Sequence, residues 1–210
     1  MALVKPANLK SNTSHTNYYG ICDIAILDFK DKSGQYDWAD IYLDVTVKQK
    51  GSDYSKSVRL SGSLDKGPDG SISGGSVINR LYHFFDVIGV KAGINAKGGW
   101  ETEDGQPIED IEKYLNDNHA EGLDANPSTF PYLAYVYKEK PKQPGGKVYT
   151  RVHHKINENS VNGRKKLEDD MNWMRSKGYL KEAPLDTQSV QDKTVEEMEE
   201  VFGSDALGNM

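Results

Sequence analysis

Three strand-like segments in a row, then one helix, then two late strands: this order predicts a mainly β fold with accessory helices, a five-stranded Greek-key barrel of the OB type. Two further observations support it. Each strand-like segment runs for about ten residues with apolar side chains at alternate positions, the pattern of a strand with one buried face. Ferredoxin-like and sandwich arrangements fit less well, because they place helices elsewhere or need more strands.

The elements follow in order. Residues 1–17 are polar and aperiodic and read as an arm. The barrel domain with its C-terminal helix is expected over 18–180, and an acidic tail over 181–210. The first strand covers 19–29, with Cys22, Ile24 and Ile26 on one face, and a turn follows at 31–34. The second, 38–49, has the clearest pattern: Ala39, Ile41, Leu43, Val45 and Val47 alternate with Trp38, Asp40, Tyr42, Asp44 and Thr46. The third, 54–62, sets Val58 and Leu60 against Ser57, Arg59 and Ser61. Glycine-, proline- and serine-rich residues 66–76 read as loop. A helix is predicted from Val77, Leu81, Phe84 and Ile88, with Ser76 as its N-cap and Gly89 as its stop. Residues 91–131 read as an irregular insertion holding one short helix over 108–116. The fourth strand, 132–140, puts Leu133, Tyr135 and Tyr137 on one face. The fifth, 147–156, puts Tyr149, Arg151, His153 and Lys155 on one face. A helix carrying Leu167, Met171 and Met174 ends near Gly178, and 181–189 reads as a linker.

Composition excludes several classes. The chain has 210 residues with 26 basic and 32 acidic side chains, a net charge of −6. One core is affordable at this length. No run approaches the roughly 18 apolar residues of a membrane span, so no membrane association is expected. The first ten residues lack the apolar stretch of a secretory signal. The single cysteine, Cys22, makes no internal disulfide and fits a reducing compartment, so the expected location is cytoplasmic, or the host cytoplasm if the chain is viral. There is no phosphate-binding glycine loop and no nucleophile elbow. Residues 65–76 fail as a calcium loop, because Gly67 and Ser76 stand where ligands belong. His153 and His154, as neighbours on a strand, would face opposite ways and not chelate together. No cofactor and no metal are implied. One catalytic pattern deserves weighing: Asp28-Phe29-Lys30 at a strand end, as in metal-dependent nucleases, with Asp40 or Asp44 as the second carboxylate for Mg²⁺.

Charge segregation is the stronger signal. Residues 138–166 carry nine bases against two acids, a net +7. The two late strands would present Tyr135, Tyr137, Tyr149, Arg151, His153 and Lys155 on one face, flanked by Lys138, Lys140, Lys142 and Lys147 and extended by Arg59. Cations neutralise phosphates while flat rings stack on unpaired bases, and single-strand binding needs both. Trp38 and Tyr42 would add rings, but Asp40 and Asp44 share their face and would repel phosphate. The last 21 residues carry six acids against one base, a net −5, so most of the chain's acidity lies there.

With this element order, this Tyr-rich basic hairpin and this tail, the chain resembles bacteriophage single-stranded DNA-binding proteins with an OB core and an acidic tail. The resemblance implies non-catalytic binding of single-stranded DNA in replication or recombination. It also implies that replication or recombination proteins are recruited through the tail, at Glu196, Glu197, Met198, Glu199, Glu200, Val201 and Phe202. In that family the tail generally ends the chain, whereas here Gly203 to Met210 follow Phe202. Two other classes stay open at this point: a Mg²⁺-dependent nuclease using Asp28 and Lys30, and a structural or assembly protein built on an OB-like barrel.

Overall fold

The structure, a computed structural model, describes residues 19–184. The arm and the acidic tail from 185 onward, Glu196 to Phe202 included, lie outside the described residues. Strands β1 (Gly20–Asp31), β2 (Ile41–Gln49) and β3 (Ser55–Gly62) come first. A small hairpin, β4 (Leu64–Lys66) and β5 (Ile72–Gly75), leads into helix α1 (Ile78–Ile88). A second small sheet, β6 (Ala92–Ile94), β7 (Trp100–Thr102) and β8 (Pro107–Ile108), precedes α2 (Ile111–His119). Strands β9 (Tyr132–Glu139) and β10 (Tyr149–Glu158) and helix α3 (Val161–Ser176) complete the described chain.

The fold is mainly β with a few helices. Its centre is a five-stranded antiparallel sheet in the order β10-β9-β1-β2-β3. The edge strands β3 and β10 also pack against each other, although no ladder joins them among the described residues. The alternation read from the sequence sets the inner face. Leu43, Val45, Val47, Val58 and Leu60 are fully buried together with Ile24, Ile26 and Ala134. A bulge in β1 keeps this face apolar. Ile26 and Asp28 oppose the adjacent residues Val47 and Thr46, so Leu27 is an extra residue. The inward parity therefore changes from Cys22, Ile24 and Ile26 to Phe29.

Helix α1 closes the core with Leu81, Phe84, Phe85 and Ile88, packs on β10, and stops where Gly89 adopts φ 75°, a left-handed cap that favours glycine. Ser76 does not cap it. Its hydroxyl instead accepts the Ser63 N–H at 3.1 Å, and Val77 already has helical dihedrals. The expected loop at 66–76 contains the β4–β5 hairpin, and the expected irregular insertion contains the β6–β8 sheet and α2. Such short strands are too brief to show periodicity. Helix α2 starts later than the apolar pattern suggests, because Asp110 caps it by accepting the Lys113 N–H at 2.8 Å. Its Asn116 brackets the backbone of Phe29, with Phe29 N–H donating to Oδ1 at 2.9 Å and Nδ2 donating to the Phe29 carbonyl at 2.8 Å. β9 pairs with β1 only as far as Ile24, and this side chain satisfies backbone groups left beyond that point.

Candidate nucleic-acid interface

Of the basic residues expected from the sequence, Lys138, Lys140, Lys142, Lys147 and Arg151 converge on the end of the β9–β10 hairpin. In the ladder Tyr149 faces Glu139, Thr150 faces Lys138 and Arg151 faces Tyr137. Arg151 Nε donates to Glu139 at 2.8 Å, and its guanidinium lies 5.3 Å from the centre of the exposed Tyr149 ring. Lys138 Nζ stands 5.7 Å over the Tyr19 ring. A groove of about 700 Å³ runs beside the loop, lined by Lys138, Lys140, Lys142, Val148, Thr150 and Pro184 among others. On the other side of the loop a hollow of about 340 Å³ is lined by Lys147, Tyr149 and Arg151 among others.

Elsewhere on the described surface several cations are engaged by carboxylates. Lys30 pairs with Glu112, Lys32 with Asp44, Lys66 with Asp40, Arg164 with Asp23 and Arg175 with Glu182. Among the described residues, Lys140, Lys142 and Lys147 make no ion pair. The one acid on this part of the hairpin, Glu139, is engaged by Arg151. Among the described residues, the hairpin end therefore carries positive charge with no carboxylate paired to Lys140, Lys142 or Lys147.

The face expected to carry stacking rings is divided. Tyr135 and Tyr137 stack with each other at 6.1 Å, but they lie under α3, packed against the cluster of Leu133, Leu167, Met171 and Leu180. Tyr135 donates its hydroxyl to Glu182, and the Arg175 guanidinium sits 5.2 Å over its ring. Burial, and then the bond to Glu182, push its hydroxyl pKa up to about 12. Nothing in the local sequence pattern marks this cover. The apolar stripe of α3 has to be buried somewhere, and the outer face of β9 is where it goes. Residues 181–183, expected as linker, also lie against the end of β9. Lys140 N–H donates to Lys181 O at 2.9 Å and Ala183 N–H donates to Lys138 O at 2.8 Å.

Two further members of the expected face are withdrawn by a bulge. Between Val152, opposite Val136, and Ile156, opposite Ala134, three residues of β10 stand against one of β9. His153 thereby turns inward and is buried, and Lys155 reaches α3 to pair with Asp170 at 2.8 Å. The same bulge stacks the rings of His153 and His154 at 4.3 Å, where a regular strand would point them apart.

Arg59 is exposed on β3, directly opposite Asp44. Asp44 does not present free charge: it accepts from Lys32 Nζ and Ser57 Oγ, each at 2.6 Å. Asp40 is bonded to Lys66 Nζ at 2.7 Å and to Leu64 N–H at 2.8 Å. Both carboxyls are held below their ordinary pKa, Asp40 chiefly by its hydrogen bond to Lys66, and Asp44 by the bonds to Lys32 and Ser57, which outweigh its burial. Asp28 is buried, which pushes its pKa up, and Lys30 is bonded to Glu112 at 2.7 Å. Among the described residues no group of three or more His, Cys, Asp or Glu side chains is placed to hold a metal ion. None of the described helices is long and apolar enough to cross a membrane. No protein-family model matches the chain, and no curated protein matches it in sequence.

Proposed function

We propose that this chain is a non-catalytic single-stranded DNA-binding protein acting in replication or recombination. The observation that carries this reading is the clustering of Lys140, Lys142 and Lys147, which make no ion pair among the described residues, beside Tyr149 and Arg151 at the β9–β10 hairpin. A polyanion supplies what those lysines lack, and the neutralised phosphates release counterions on binding. The strand order and the packing of β3 on β10 favour an OB-type barrel, a fold whose strand faces and loops accommodate single strands. The interface would run from Lys138, Lys140, Lys142 and Lys147 over Tyr149 and Arg151 toward Arg59. The acidic tail would recruit replication or recombination proteins.

The test is a fluorescence titration with oligo-dT at several salt concentrations. Binding should weaken steeply as salt rises. Replacing Lys140, Lys142 and Lys147 together by alanine should lower the log–log salt slope by about 2, at roughly 0.7 per phosphate contact on a single strand. Absent binding, or binding insensitive to salt, refutes the reading.

A further inference from the structure

The turn between β1 and β2 carries rings that the basic hairpin does not use. Trp38 is 59 % exposed and Tyr36 is 41 % exposed, and both rest on Tyr42, which is 7 % exposed. The ring centres are 4.9 Å apart for Tyr36 and Tyr42, and 5.9 Å apart for Trp38 with either neighbour. The backbone fixes this arrangement. Lys32 N–H donates to Tyr42 O at 2.8 Å, Ala39 N–H to Tyr36 O at 3.1 Å, and Tyr42 N–H to the Ser33 hydroxyl at 3.0 Å. Two large rings are thus held outward on a buried third, with little left to order on binding.

The surroundings select the occupant. Residues sharing the sheet face with Tyr42 are polar, namely Asp44, Thr46, Ser57, Arg59 and Ser61. A protein partner would want a wider apolar patch around its aromatic anchor. The two carboxylates that argued against a polyanion here, Asp40 and Asp44, are bonded to Lys66 and Lys32. Arg59 lies diagonally across the ladder from Tyr42, about 7–8 Å away at the backbone, and makes no ion pair among the described residues. The remaining carboxylate of the turn, Asp37, is exposed, which places phosphates on the Arg59 side.

We infer that Tyr36 and Trp38 form a stacking platform for unpaired bases, with Arg59 taking an adjacent phosphate. This rests on the single-strand reading above and adds a base-binding subsite to it. The experiment compares oligo-dT with an abasic deoxyribose-phosphate oligomer of equal length, on the full chain and on its Tyr36→Ala/Trp38→Ala variant. Loss of stacking should weaken oligo-dT binding by about tenfold or more, and leave abasic binding and the salt slope unchanged. Trp38→Phe, which keeps a ring, should retain most of the affinity. If the double variant does not fold, Trp38→Ala against Trp38→Phe carries the same comparison. Oligo-dT binding equal to wild type overturns the platform and leaves the single-strand reading standing, and so does an equal loss on both oligomers. A wild type that self-associates through these rings while the variant stays monomeric, with oligo-dT binding unaltered, assigns the cluster to protein contact and overturns it too. A wild type that binds neither oligomer overturns both inferences.

Discussion

His153 shows how one misplaced pair of residues changes the chemistry of a strand. Its Nδ1 accepts the Lys155 N–H at 3.1 Å, so the ring is neutral with its proton on Nε2. Burial, and then the nearby Lys155 charge, lower its pKa to about 4, while Asp170 acts in the opposite direction. His154, also desolvated and stacked on His153 near Arg80, Lys155 and His83, is lowered further. Both shifts have the same consequence for stability. The unfolded chain takes up protons near the ordinary histidine value of about 6.5 and the folded one does not. Stability should therefore be full above pH 6.5 and decline as pH falls toward 4, by up to about 1.4 kcal/mol per pH unit for each histidine. Urea unfolding midpoints at pH 7.5 and pH 5 measure this. Replacing both residues by glutamine should flatten most of the difference, leaving the smaller part from His119, whose pKa burial also lowers. The carboxylates with depressed pKa, such as Glu112 and Asp40, lose their contribution below about pH 5 and so add little between these two pH values. A midpoint unchanged between the two pH values would contradict the neutral, desolvated pair.

Helix α3 and the segment that follows it decide which tyrosines are available. Ser160 caps α3 by accepting the Gly163 N–H at 3.0 Å, and Leu167 and Met171 bury against Leu133. Arg175 then joins the Tyr135 hydroxyl to Glu182, with Nε donating to Glu182 at 2.6 Å. If this cover is fixed, Tyr135→Phe removes the bond donated to Glu182 and the bond accepted from Arg175, should cost about 1.5–3 kcal/mol of stability, the range for bonds to charged groups, and should leave oligo-dT affinity unchanged. A denaturation curve and a titration on the same sample check both halves. Reduced DNA affinity at wild-type stability would mean that the ring is reached by the ligand and that the cover opens. The same elements show what was legible in the sequence. Period-2 alternation placed all five main strands within a few residues, because β2 and β3 bury one face and leave the other wet. The helix stripes Leu81/Phe84/Ile88 and Leu167/Met171 were equally plain. The partner each stripe would bury against was not, since periodicity gives a face but no neighbour. The bulges at Leu27 and at residues 153–155 were also hidden, because nothing in the local pattern marks an extra residue. The basic loop was readable as charge, and its freedom from ion pairs only as geometry. Tyr36 was missed because it sits in a turn, where alternation gives no face at all.

The whole molecule carries its charges in an unusual division. Residues 190–210 account for −5 of the chain's net −6, and residues 138–166 for +7. The chain leaves the described fold beside the basic stretch. The backbone bonds between Lys138, Lys140 and residues 181–183 anchor the exit of the described chain at the base of the basic hairpin, and Pro184 itself lines the lysine groove. From Pro184 to Val190 the chain spans at most about 20 Å, even fully extended. The acidic stretch thus begins within reach of the field of Lys140, Lys142 and Lys147 at low ionic strength, where the screening length is about 30 Å at 0.01 M salt. Like charge near a polyanion site slows encounter and weakens binding. Removing residues 190–210 should therefore tighten oligo-dT binding several-fold at low salt. The difference should shrink as salt rises, because screening falls to about 3 Å at 1 M. Titrations of the full and shortened chains across this range provide the measurement. A gain that persists at high salt would indicate a contact other than charge. Unchanged affinity at low salt would mean that the tail does not act on the groove.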